Sequence, residues 1–203
     1  VWAESRPLKS NDPVLAYLRR RGIMLPLDDF PHTLRYHPHL RYTHDNGQHC
    51  YFPGMVARVE DARGALISLH RTYLTLGGCK ANVPHPKKLM STAHPGATRG
   101  AAIRLYPVGD TLAVTEGVET GLAVRVATGW PVWVAICARG MVDLVIPPYV
   151  HLVLICADHD IPGLTAAKAL ARRLLGEQRR VKLLYPDTPG TDWADALQEG
   201  AYA

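Results

Sequence analysis

The stretch that decides the fold is TLAVTEGVETG, residues 111–121, read together with HLVLICADHDIPG, residues 151–163. In the first, Thr111 to Thr115 is a short apolar, β-branched run bounded by Gly109-Asp110 and Glu116-Gly117, the pattern of a buried strand. From Val118 to Ala127 the apolar residues recur at helical spacing instead, at Val118, Leu122, Ala123, Val126 and Ala127. A strand that turns at Gly straight into a helix leaves Glu116 at the strand's carboxyl end, where open α/β sheets place their ligands. His151 to Ala157 reads as a second buried strand, and Pro162 to Gly176 as a helix that opens at Pro and closes at Gly. Asp158 and Asp160 therefore stand at a second carboxyl end. Side chains two apart in extended chain share a face, so both carboxylates can turn toward one cation while His159 points elsewhere.

That arrangement has a chemical purpose. Mg²⁺ is small, hard and slow to shed water, and its sites offer one or two carboxylates with the remaining positions left to water and substrate phosphate. Glu116, Asp158 and Asp160 brought together without a counter-cation would repel one another, and a divalent ion between them removes the conflict. Glu119, one helical turn from Glu116, is a further candidate ligand.

Outward from this centre, Pro131 to Ile136 and Val181 to Tyr185 supply two more strands. Right-handed strand-helix-strand connections then give a mainly parallel four-stranded sheet with flanking helices. Gly190 to Leu197 reads as a short capped helix in which Asp192 serves better as the cap than as a metal ligand.

Of 203 residues, 47% are hydrophobic and 20% charged, which suits a globular chain of one or two domains and excludes the disordered classes. No apolar run reaches the length of a membrane span. The first residue is Val and a Trp follows at once, so a fragment of a longer protein is expected. The four cysteines, Cys50, Cys79, Cys137 and Cys156, lack CxxC spacing, and reduced thiols in a cytoplasmic setting are the expectation. Net charge is +5 but unevenly divided. Residues 1–110 hold 15 Lys and Arg against 8 Asp and Glu, net +7, whereas residues 111–203 hold 8 against 10, net −2. A basic half beside a carboxylate centre suits a phosphate-bearing substrate.

In that basic half, Asn11 to Gly22 reads as a helix with Asp12 as cap, Pro13 at its first position and Arg19-Arg20-Arg21 in its last turn. His32, His37, His39, His44, His49 and Cys50 fall in a loop-rich stretch, and their spacing matches no familiar zinc finger. Met55–Val59 and Ala65–Arg71, joined by residues 60–64, form an antiparallel hairpin. Lys80, Lys87, Lys88, Arg99 and Arg104 follow among glycines and prolines, and cations on such a loop just ahead of Thr111 are well placed to hold phosphates.

The motifs EGVETG and ADHDIPG, separated by one strand and helix, resemble the Toprim domain of primases, topoisomerases and related nucleases. The resemblance covers about Leu112 to Leu197. It implies that Glu116 acts as general acid or base and that Asp158 and Asp160 bind Mg²⁺ or Mn²⁺. The order of hairpin, HRTYL, KKLM and TRGAAIRLYP ahead of it is similar to the catalytic RNA polymerase core of bacterial-type DNA primases, in the variant found in plasmid and phage primase-like proteins. This implies a basic α+β subdomain at residues 1–110 and a Toprim catalytic domain at 111–203. By motif order, the same resemblance implies that Arg71, Lys88 and Arg99 contact nucleotide and template, with Lys80 and Arg104 as further candidates.

The expected activity is metal-dependent synthesis of short RNA primers on single-stranded DNA from ribonucleoside triphosphates. A replicative helicase, or a zinc-binding module outside this sequence, is the expected partner, with no membrane. A Toprim nuclease would share every acidic residue and differ in the basic half, and a non-catalytic nucleic-acid-binding module is the third class. A topoisomerase also needs a cleavage Tyr on a large gate, for which the first 110 residues leave little room.

Overall fold

The computed structural model describes residues 1–92 and 94–200. Among the described residues the chain folds into two sheets with five α-helices. Helix α1 (Pro13–Arg20) begins after Asp12 with Pro at its first turn, and buries Val14, Leu15, Tyr17 and Leu18. Its end is closed by Gly22 at φ +73°, with the Ile23 amide returning to the Leu18 carbonyl.

The first sheet is antiparallel, in the order β1-β2-β3-β4: β1 (Leu34–Thr43), β2 (His49–Glu60), β3 (Leu66–Tyr73) and β4 (Lys87–Leu89). The expected hairpin is β2–β3, and Asp61 builds its turn by accepting from the amides of Arg63 and Ala65. The histidine-rich stretch, expected as loop, is instead strand β1, a turn and the start of β2. Pro38 sits where the register slips between His37 and Leu40. A bulge tolerates the missing amide there without breaking the ladder.

The second sheet has five strands, not the four expected, in the order β5-β7-β6-β8-β9: β5 (Ile103–Arg104), β7 (Val132–Val134), β6 (Thr111–Thr115), β8 (Leu152–Cys156) and β9 (Arg180–Leu184). All neighbours are parallel except β5, an antiparallel edge strand from ahead of Thr111. It was missed because two paired residues are too few to show a period.

Alternation along the central strands sends Ala113, Leu154 and Cys156 to one face, against Val118 and Leu122 of α2 (Val118–Thr128) and Trp193 of α5 (Trp193–Gln198). Leu112, Val114, Val153 and Ile155 face the other way, against Met141 of α3 (Ala138–Asp143) and Leu170 of α4 (Ile161–Gly176). The α2 face shares its core with Met55, Ala57 and Val59 of the first sheet and with α1. From β6 the chain leaves toward β7 through α2, then recrosses through α3 on the opposite face to reach β8. The carboxyl ends of β6 and β8 therefore flank a topological switch point, the crevice where such sheets bind ligands.

Candidate functional site

At that crevice lies a cleft of about 230 Å³ between the two halves of the chain. Its acidic wall is Glu116, Glu119, Asp158 and Asp192, and its other wall carries Tyr17, Arg21, His70, Lys80 and Lys87. Glu116 directly follows β6 and Asp158 stands two residues past β8, at the carboxyl ends of both strands.

Burial, followed by the charges of Asp192 and Glu116, pushes the Asp158 carboxyl up to about 7, although the Thr120 hydroxyl donates to it at 3.3 Å. Burial and then Asp160 raise Glu116. Asp160 itself caps α4, accepting from the Gly163 amide at 2.7 Å, and is exposed beyond the rim of the cleft. Gly163 belongs there because a Cβ would lie 2.9 Å from both the Asp158 carbonyl and the Asp160 carboxylate.

Glu119, a further candidate ligand by sequence, is 3% exposed and already engaged. Its Oε1 accepts from the Tyr17 hydroxyl at 2.7 Å and its Oε2 from the Lys87 ammonium at 2.7 Å. Burial alone would raise this carboxyl, but the Lys87 charge and hydrogen bond, with help from Tyr17, hold it down at about 2. Asp192 caps α5 in a reciprocal capping box with Asp195, and Arg21 donates to both acids at 2.7 and 2.9 Å.

The expected cations separate. Lys80 lines the cleft. Arg71 and Lys88 are cross-strand partners on the outer face of the first sheet. Lys88 lies 4.0 Å over the Tyr42 ring and donates to the Thr43 carbonyl, and Arg71 lies 5.5 Å from the Tyr73 ring centre. Arg99 is exposed beside Asp143 on a neighbouring apolar pocket. Arg104 ties the β2–β3 turn to the second sheet through the carbonyls of Asp61 and Ala62, stacked 4.5 Å over Trp133. Tyr17 and His70 enter the cleft without any signal in the sequence, whereas Lys87 is one of the loop cations expected to hold phosphates and Arg21 belongs to the arginine run expected in the last turn of the first helix. Strand alternation separates Lys87 from Lys88, but a three-residue strand among prolines does not advertise itself.

The histidines of residues 32–50 are spread over the β1–β2 hairpin, His39 stacked on Tyr51 and His44 at 3.2 Å from Cys50. Among the described residues, no three His, Cys, Asp or Glu side chains converge as a ready metal cage, here or at the cleft. The donor set at the cleft nevertheless suits Mg²⁺. Its donors are hard oxygens, Asp158 is destabilised by burial and by the charges of Asp192 and Glu116, and a magnesium site needs only one or two carboxylates.

Residues 111–202 match the family model described as Toprim domain. That part of the chain has a Toprim-like α/β fold. Residues 1–100, ahead of it, match a separate model described as a domain of unknown function, DUF7146. No curated protein matches the sequence.

Among solved structures, the chain resembles a DNA primase domain from Pseudomonas aeruginosa at 18% identity and TM-score 0.62, over 94% of this chain and 68% of that one. The DnaG primase catalytic domain bound to ssDNA is similar at 16% identity and TM-score 0.63, over 96% and 71%. The Aquifex aeolicus primase with zinc-binding and RNA polymerase domains gives 17% and 0.61, over 90% and 51%. The likeness thus runs through the Toprim domain and the basic half together, and the chain has the fold of a primase catalytic core.

Proposed function

We propose that this chain is a primase catalytic core that synthesises short RNA primers on single-stranded DNA with Mg²⁺ or Mn²⁺. The observation that carries the reading is the cleft in which Toprim carboxylates face cations supplied by the other half. A nuclease would need the carboxylates alone. The primase-like fold of the basic half, outside the Toprim domain, favours synthesis.

Asp158 and Glu116 would hold the metal, with Asp160 offering its second oxygen from the α4 cap. A divalent ion held by these residues would supply Lewis-acid and charge-neutralising chemistry to the phosphates. Lys80 and Lys87 supply positive charge toward the triphosphate from the opposite wall. Glu116, its carboxyl raised by burial, would exchange a proton with the 3′-hydroxyl in this scheme. Arg71 and Lys88, cross-strand partners on the outer sheet face, would supply positive charge to the phosphates of the template strand. Most of the catalysis in this scheme is positioning and charge stabilisation.

The test is incubation with single-stranded DNA, labelled ribonucleotides and Mg²⁺ or Mn²⁺, beside the Asp158→Ala/Asp160→Ala variant. Short labelled products that vanish in the variant are expected. Cleavage of the DNA without synthesis would replace this reading by a nuclease.

A further inference from the structure

We propose that Glu119 is a positioning residue that fixes the Lys87 ammonium at the cleft for the substrate's triphosphate, and is not a metal ligand. This deepens the primase reading above and rests on it.

Glu119 sits in the first turn of α2 and is nearly sealed from solvent. An ionised carboxylate survives at such a site only when paired and hydrogen-bonded. Both of its oxygens are used, Oε1 by Tyr17 of α1 and Oε2 by Lys87 of β4. An acid with both oxygens committed at 2.7 Å has little left to offer a metal ion.

Lys87 differs from its partner. Its side chain is 37% exposed and faces the cleft shared with Glu116 and Asp158. An ammonium has three donors. Among the described residues Lys87 spends one, on Glu119, and makes no other hydrogen bond. A lysine is otherwise a flexible point charge on a four-carbon stem. Anchoring one donor on a carboxylate held by Tyr17 selects one rotamer and leaves two donors for phosphate oxygens. The three residues come from α1, β4 and α2, so the anchor also joins the basic half to the Toprim half at the substrate.

The test is a double-mutant cycle on the full chain. Calorimetry measures binding of a non-hydrolysable ribonucleoside triphosphate analogue with Mg²⁺, and Mn²⁺ titration measures metal binding, for wild type, Glu119→Gln, Lys87→Met and both together. Each single change is expected to weaken analogue binding about tenfold, within the range of coupled contact pairs. The double variant should bind no more weakly than Lys87→Met alone, and in primer synthesis the loss should appear in KM ahead of kcat. Mn²⁺ affinity should be unchanged by Glu119→Gln.

Tyr17→Phe leaves both charges in place and guards against misfolding of the buried Gln variant. It should weaken analogue binding two- to threefold, on the order of one lost hydrogen bond, and only while Lys87 is present. The proposal is overturned if Glu119→Gln lowers Mn²⁺ affinity, if its effect persists on the Lys87→Met background, or if it lowers thermal stability with analogue binding intact. Wild-type binding by Lys87→Met would remove the phosphate reading of the cleft itself, an outcome distinct from failure of Glu119 alone.

Discussion

Asp158 is the residue where stability and activity conflict. Its carboxyl titrates near 7 in the fold, against an ordinary 3.8, so ionisation costs stability as pH rises between those values. Asp158→Asn is therefore expected to stabilise the metal-free protein at pH 8 by about 1–2 kcal/mol, read as a higher urea midpoint, while abolishing primer synthesis. Mg²⁺ should raise the wild-type midpoint and leave that of the variant unmoved. His70 gives a second pH effect of different origin. Burial pulls its imidazole down to about 4, and its Nδ1 is enclosed without a hydrogen-bond partner. Between pH 6.5 and 4 the unfolded chain takes a proton that the folded chain refuses, so stability falls on acidification through this window. The loss is on the order of 2 kcal/mol, and His70→Gln should flatten the slope of urea midpoint against pH. An unchanged slope would mean that His70 titrates normally in the fold.

At the scale of elements, β4 decides which lysine matters. Lys87 and Lys88 point to opposite faces of the first sheet, one into the cleft and one onto Tyr42. Lys87→Ala should raise KM for ribonucleotides about tenfold or more, whereas Lys88→Ala should act on template affinity and its salt dependence. Helix α3 supplies a structural prediction. A Cβ on Gly140 would collide with the Ala135 carbonyl oxygen, so Gly140→Ala must displace backbone at the end of β7. The expected cost is on the order of 2 kcal/mol, measured as a drop in thermal midpoint. These elements also show what the sequence could and could not reveal. The strands β6 to β9 and helices α2 and α4 were legible because long apolar runs and Gly or Pro boundaries agree. Glu116 and Asp158 were legible because a strand end fixes where its next residue goes. Strands β1, β4 and β5 were not, since Pro38 interrupts one and the other two are too short for periodicity. The pairings of Arg21 with Asp192 and of Tyr17 and Lys87 with Glu119 were hidden for another reason: they arise from tertiary contacts across more than 30 positions of chain.

The whole molecule is organised around one joint. A single apolar core runs from α1 and the first sheet into the α2 face of the Toprim sheet. Above it, Arg21 bridges to Asp192 and Asp195, and Lys87 and Tyr17 bridge to Glu119. The net +7 and −2 of the two halves thus become a cleft with one wall of each sign, not merely two separate surfaces. This joint is the central claim, and the most direct measurement is a crystal structure of the chain with Mn²⁺ and a non-hydrolysable ribonucleoside triphosphate. An anomalous manganese peak on Asp158 and Glu116 is expected, with the triphosphate between that ion and Lys87. A manganese peak elsewhere, or a triphosphate bound away from this cleft, would contradict the claim.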